Sequence, residues 1–310
     1  MVGPARPGRR GIVTGMALFV EAAVRTAAPL LLAAVGESVA ERAGVINIGL
    51  EGCIVAGAYA AFVFGAASPV SGYSAAILAG AAVGALLAIF AVVRGHDQVI
   101  VGTALTMLSL GVTGTLFRSR PDHGFVFVTM EPAVRVPFLA DIPLFGAVFS
   151  QPITTYAALA LLPTVWWWLH RTHAGIALRT VGDSHEAARA AGVRVVLVQS
   201  GALLFGSALG GLAGGALVLA QAGSFAEGMS SGRGFLAIAI VALGRWRVGG
   251  VAAASVVFGA AMALQYVVQS LGWGLRYELV LMIPYLTTLA ALGLFSRGTA
   301  PAMLGRRLTN

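Results

Sequence analysis

The amino-acid sequence predicts an all-α polytopic membrane protein with about eight full transmembrane helices and one short or re-entrant helix. Three observations carry that expectation. Only 10% of the residues are charged and 58% are hydrophobic, whereas a soluble domain averages about 25% charged residues. Mean hydropathy is +0.88. The apolar residues also come in runs of about 18 or more, the length that crosses a hydrocarbon core. Alternating ten-residue segments, the mark of a transmembrane barrel, are absent.

The runs fall at 16–35, 48–64, 74–93, 99–117, 153–170, 196–220, 251–271 and 279–295. A shorter run at 234–243 is too short for a straight crossing. Glycines flank it, as they flank helices broken inside a membrane. The chain therefore divides into an N-terminal tail (1–15), one transmembrane domain (16–296) and a C-terminal tail (297–310). In the first run Glu21 and Arg25 stand four apart on one helix face and can pair. Two charges there also argue against a cleaved signal peptide.

Between the first two runs lies "ERAGVINIGLEG" (41–52), a concentration of polar residues in a chain where charge is scarce. Ionisable groups at membrane depth cost about 2.5–3.5 kcal/mol on insertion scales and face the bundle interior. Glu41 and Arg42 sit at the loop end, within reach of solvent. Asn47 and Glu51 share a face at the start of a span. They either bond free backbone groups and Arg42, fixing a break between two helices, or line the lower end of a pathway. Later glycines, as in "FGSALGGLAGGALVLAQAG", allow close helix contact.

The stretch "RTHAGIALRTVGDSHEAARAAGVRV" (171–195) is the longest basic loop and is expected in the cytoplasm. Asp183 or Ser184 can cap a short helix over "HEAARAAG". Glu186 lies in its first turn, where the helix dipole favours an acid, and Gly192 can close it. Such a helix is either a connector or a docking element for a partner. Counting spans from this loop puts "GRWRVGG" (244–250) and the C-terminal arginines inside. It puts the N-terminus outside, against the sign of Arg6, Arg9 and Arg10.

The net charge of +8 is ordinary for a membrane protein with basic cytoplasmic loops. Its arginines form no continuous stripe, so no nucleic-acid partner is expected. Cys53 is the only cysteine, which excludes an intrachain disulfide. No His/Cys cluster has metal-ligand spacing, so no metal is expected.

Three stretches carry a family resemblance. Gly182, Ala187, Ala188 and Gly192, in the order G-x-x-x-x-A-A-x-x-x-G, resemble the coupling segment of ABC-importer permeases. "GESVAERAGVINIGLEGCIVAGAYAAF" resembles the signature of the branched-chain amino acid/ribose permease family, and most of all its nucleoside and simple-sugar branch. "GRGFLAIAIVALGRWRVGG" is similar to the short-helix region of that branch. Ser184 and His185 depart from the Asn and Pro often found there. The resemblance implies a multi-pass permease subunit in a bacterial cell (inner) membrane, passing nucleosides or related simple sugars. It implies an ATPase-coupling helix carrying Gly182, Asp183, Glu186, Ala187, Ala188 and Gly192. It also implies an ATP-binding subunit that holds ATP and magnesium, a second and different permease subunit, and an extracytoplasmic solute-binding protein. This chain has no G-x-x-x-x-G-K-S/T motif, so no enzyme activity and no cofactor of its own are expected. Branched-chain amino acids or other small polar solutes are the alternative cargo. An ion-coupled secondary transporter would need acids near the midplane, where only Glu51 and Glu21 are candidates. A channel would need a ring-forming charged motif, and none stands out.

Overall fold

The computed structural model describes residues 9–120, 127–140, 142, 146–270, 282, 286 and 300–306. Helix α1 (Arg9–Arg42) has 34 residues and is about 51 Å long at 1.5 Å per residue. After a short non-helical segment comes α2 (Leu50–Phe64), of only 15 residues. Helix α3 (Pro69–Leu87) starts with proline at its first position, where the missing N–H costs nothing. Ser68 caps it by accepting from the Ser71 N–H. It runs on as a π-helical turn, Ala88–Val93. Helix α4 (Gln98–Arg118) is capped by Asp97, which accepts from the N–H groups of Val99 and Ile100.

Two three-residue strands, β1 (Ala133–Arg135) and β2 (Ser150–Pro152), pair antiparallel with Val134 opposite Gln151. They are the one departure from an all-helical body among the described residues. Helices α5 (Ile153–Arg171), α6 (His173–Asp183) and α7 (His185–Ala190) follow. Helix α8 (Val195–Ala216) ends in a second π turn, Leu217–Ala222, stopped by Gly223 in the left-handed region. The 11-residue α9 (Arg233–Leu243) and α10 (Val248–Ser270) complete the set.

Among the described residues five segments are long and apolar enough to cross a membrane: Leu18–Arg42, Pro69–Val93, Gln98–Arg118, Val195–Ala222 and Val248–Gln265. This is fewer than the eight full spans expected. The run at 48–64 forms only α2, because its first residues are not helical. The run at 153–170 forms α5, but its threonines, tryptophans and closing His170 make it less apolar than the others. The run at 279–295 lies outside the described residues. Helix α1 begins at Arg9, inside the stretch expected to be a tail.

Helices α1 and α8 form the centre. Leu30, Leu32, Ile54, Leu209, Ile240 and Phe258 belong to one buried cluster drawn from α1, α2, α8, α9 and α10. Gly57, Gly80 and Gly211 bring the backbones of α2, α3 and α8 against one another, the close approach that small residues permit in lipid. Ile100, Met107 and Leu108 of α4 are exposed, as suits a face turned to lipid.

The bundle has two distinct ends. One gathers the C-terminal end of α1, helices α6 and α7, the turn after α9, and residues 300–306. There the Met303 N–H donates to the Gly182 carbonyl at 2.9 Å and the Gly305 N–H to the Gly44 carbonyl at 3.2 Å. The expected C-terminal tail is thus docked rather than free over this stretch. The opposite end holds the start of α1, the β ribbon and residues 223–228. There Glu131 accepts from the Tyr73 hydroxyl at 2.6 Å and the Thr154 N–H at 3.0 Å.

Candidate functional site

The expected break between the first two runs is real, and it reaches the middle of the bundle. Leu50 and Cys53 pack on Gly210, and Gly36 packs on Gly206. Both glycines lie near the midpoint of the 28-residue Val195–Ala222 segment. Helix α1 therefore passes the centre and ends at Arg42. Residues 43–49 climb back outside any helix, and α2 starts at mid-depth. Unwound backbone at this level must find partners inside the protein. Glu37 of α1 supplies one: its Oε1 accepts from the Asn47 N–H at 2.9 Å. The Asn47 side-chain amide donates to Ser207 Oγ of α8 at 2.9 Å.

Glu51, in the first turn of α2, holds the other short helix. Its Oε1 accepts from Ser230 Oγ at 2.5 Å and the Gly232 N–H at 2.8 Å, and its Oε2 from the Gly234 N–H at 2.6 Å. The carboxylate thus caps the N-terminus of α9, whose free N–H groups and dipole favour an anion. Gly232 makes the cap geometry possible, with φ at +77°. Hydrogen bonds to a charged group contribute about 1.5–3 kcal/mol each. Asn47 thus bonds Glu37 and Ser207, and Glu51 bonds the start of α9. The expected bond from Glu51 to Arg42 is not formed. Arg42 is turned to the other end of α9, where its Nε donates to the Trp246 carbonyl at 2.7 Å.

That other end is a tight turn in which Arg245 and Trp246 both have φ of +55°. Left-handed backbone costs a non-glycine residue roughly 1–2 kcal/mol, and Trp246 is held there from two sides. Its carbonyl accepts from Arg42, and its indole N–H donates to Glu41 Oε2 at 2.5 Å. Glu41 is 2% exposed, so the expectation that it is solvated is corrected. It is buried because it lies one turn below Glu37, on the face of α1 that receives Trp246. Asn47 Oδ1 is buried without a hydrogen-bond partner, and the second oxygen of Glu41 is set against the Glu37 carboxyl. Glu37, Trp246 and Ser230 were not singled out from sequence. The available signal was Glu37 and Glu41 four apart in an apolar run, and the serines of "GMSSGRG" just before the short helix.

At the same end lie α6 and α7. Ser184, not Asp183, is the cap of α7: its Oγ accepts from the Ala187 N–H at 3.2 Å. Gly192, at φ +76°, closes the helix. Asp183 ends α6 and is exposed, as are Glu186, Ala187, Arg189 and Gly192. Ala188 points the other way and packs on Val181 and Val195 of this chain. Its small size therefore serves the internal contact. Gly182 is buried, and a Cβ there would overlap the Arg42 carbonyl. So α6 rests directly on the end of α1. Gln199 Nε2 donates to the Ala43 carbonyl at 3.0 Å and faces His185 Nε2 at 3.2 Å. Burial first, and Arg189 second, hold the His185 imidazole below its usual value of 6.5. Helix α6 itself was not expected, since 171–195 was read as a loop with one helix.

The opposite end contains a cavity of about 610 Å³ between α1, the π turn of α8 and the start of α9. Glu21, Arg25, Gln221 and Arg233 are among its polar lining residues. The expected Glu21–Arg25 pair is formed at 2.6 Å. Among the described residues no group of three or more His, Cys, Asp or Glu side chains could hold a metal ion.

Apolar spanning helices, two short helices meeting at mid-depth and a helical platform at one end define a multi-pass membrane transport protein. Residues 19–292 match the family described as branched-chain amino acid transport system, permease component, and the chain belongs to that family. It is 33% identical over 311 residues to the guanosine ABC transporter permease protein NupQ of Bacillus subtilis, covering 95% of this chain and 97% of the relative. It is 34% identical to a putative glucose ABC transporter permease protein, TsgC13, of Haloferax volcanii, covering 88% and 90%. It is 27% identical to the nucleoside ABC transporter permease protein NupC of Lactococcus lactis, covering 92% and 94%.

Proposed function

We propose that this permease component carries nucleosides or related simple sugars into the cell as one of two permease subunits of an ABC importer. The observation that carries the reading is near end-to-end similarity to permeases with those named cargoes. The fuller assembly follows from the family: an ATP-binding subunit that holds ATP and magnesium, a second permease of different sequence, and an extracytoplasmic solute-binding protein. This chain contributes the pathway and no ATP chemistry. About eight crossings complete the bundle.

The end carrying α6 and α7 is cytoplasmic in this reading. It collects Arg171, Arg179, Arg189 and Arg194 of 171–195, with Arg245 and Arg247 of the turn after α9, as the positive-inside rule requires. Helix α7 is the coupling helix, docking through Asp183, Glu186, Ala187 and Arg189, while Gly182, Ala188 and Gly192 shape it from behind.

Co-purification of the ATP-binding subunit tests this. Ala187→Trp should overpack the contact by about 1–3 kcal/mol and weaken ATPase association roughly five- to a hundred-fold, with normal membrane expression. Ala188→Trp should instead lower expression, because it strikes this chain's own packing. Undiminished co-purification and uptake in Ala187→Trp would remove the docking role from α7.

A further inference from the structure

We infer that the apolar groove between α5, α6 and α8 holds an anionic glycerophospholipid, with its acyl chain in the groove and its phosphate at Arg171 and Arg194. The lipid belongs to the leaflet on the α7 side, and only the naming of that leaflet as cytoplasmic rests on the importer reading above. The groove encloses about 590 Å³. Val39 of α1, Trp167 and Trp168 of α5, Leu178 of α6, and Leu197 and Phe205 of α8 line it. Thr164 carries the one hydroxyl in the lining, and that hydroxyl already donates to the Ala160 carbonyl at 2.8 Å. Gly201 leaves the groove open, since a Cβ there would meet nothing within 4 Å.

Length identifies the occupant as a lipid chain. The groove follows α8 only from Leu197 to Phe205, about 12 Å at 1.5 Å per residue. A hydrocarbon core is about 30 Å thick, so the groove serves one leaflet. A spanning helix of a partner would need a seam through both leaflets, whereas an acyl chain needs one.

Charge identifies the headgroup. Arg194, Leu197, Val198, Gly201 and Phe205 recur at helical spacing and share a face of α8. Thr164, Trp167, Trp168 and Arg171 do the same on α5. Both walls therefore end in an arginine on the α7 side. Arg194 also lines an adjoining cleft that shares Leu197 with the groove. Both arginines are exposed, and among the described residues neither takes part in a salt bridge. Among the described residues no acid lines the groove or the cleft. Basic pockets between membrane helices hold anionic headgroups in this way. Trp166 and Trp167 are exposed about one turn before Arg171, at the depth where tryptophans favour the membrane interface. Arg194 lies between α7 and α8, so a phosphate held there ties the α7 platform to the membrane surface.

The test places the full-length chain in phosphatidylcholine vesicles and reads the fluorescence of its tryptophans, two of which line the groove. The probes are phosphatidylglycerol and phosphatidylcholine, each brominated on the acyl chain as a quencher. Phosphatidylglycerol should quench at about twentyfold lower content than phosphatidylcholine. Arg171→Gln and Arg194→Gln should each cut that preference about fivefold, and Arg194→Lys should keep most of it. Gly201→Leu fills the groove, leaves both charges in place and should abolish the preference. Equal quenching by the two lipids overturns the site, as does a preference that survives both arginine-to-glutamine substitutions together. A preference unchanged in Gly201→Leu assigns it to surface charge alone and overturns the groove. Loss of the second permease from Gly201→Leu at unchanged quenching makes the groove a subunit interface and overturns the lipid.

Discussion

Helix α9 is held at both ends by acids, and the two grips differ in how completely they are filled. At its N-terminus both oxygens of Glu51 are used, by one hydroxyl and two backbone N–H groups. At its C-terminal turn Glu41 gives one oxygen to the Trp246 indole and sets its other against the Glu37 carboxyl. The cost of losing a carboxylate is set by the donors it leaves behind. Three depend on Glu51 and one on Glu41. The same residue type therefore carries very different weight at two places about one short helix apart.

The sharpest test of that contrast is Glu51→Leu. It strands a buried hydroxyl, the buried Gly234 N–H and the half-buried Gly232 N–H, at about 1–3 kcal/mol for each buried group, and should abolish folded protein in membranes, as read by detergent-extracted yield and size-exclusion profile. Normal yield with lost uptake would return Glu51 to the pathway. Glu51→Gln keeps one accepting oxygen but sets an NH2 against a donor, so a loss of about 1–3 kcal/mol in thermal stability is expected. Trp246→Phe removes the indole donor and leaves an orphan oxygen on Glu41, for a similar or smaller loss. Glu41→Gln should change stability by less than about 1 kcal/mol, because its oxygen can still accept from Trp246 while its NH2 gains an acceptor in Glu37. If Glu41→Gln costs as much as Glu51→Gln, the contrast fails.

The smallest effect concerns pH. His185 has a folded value depressed below 6.5 by burial and by Arg189, so the unfolded state binds a proton more readily. Its contribution is complete above pH 6.5 and is lost as pH falls through the folded value. The protection factors of the α7 amides should therefore fall on acidification below that point, once corrected for the intrinsic slowing of exchange at low pH, and His185→Gln should remove the dependence.

Hydropathy alone located the long helices, because length and apolar composition are local properties. It could not separate α2 from the extended residues before it. Ile46 and Ile48 are as apolar as the helix they precede, and nothing in their character says that the chain there is unwound. Helix α6 was hidden for the opposite reason. Its buried Leu178 and Val181 flank Arg179 within a basic stretch and read as loop. The spacing of Asn47 and Glu51 disclosed a break, but the donors to Glu51 lie far along the chain and leave no trace in local pattern. At α7 the small residues were visible, and their direction was not: Ala187 faces out and Ala188 faces in.

Synthesis order gives the Glu51 cap a meaning in time. Ser230 and Gly234 follow Glu51 by 179 and 183 residues, so α2 leaves the ribosome long before its carboxylate has any of these donors. Until α8 and the start of α9 are in place, the chain carries a bare acid at mid-depth, at a cost of about 2.5–3.5 kcal/mol. The Glu51 cap can therefore close only after the start of α9 has been made. A chain interrupted before residue 230 lacks every one of the three donors that Glu51 has in the finished fold.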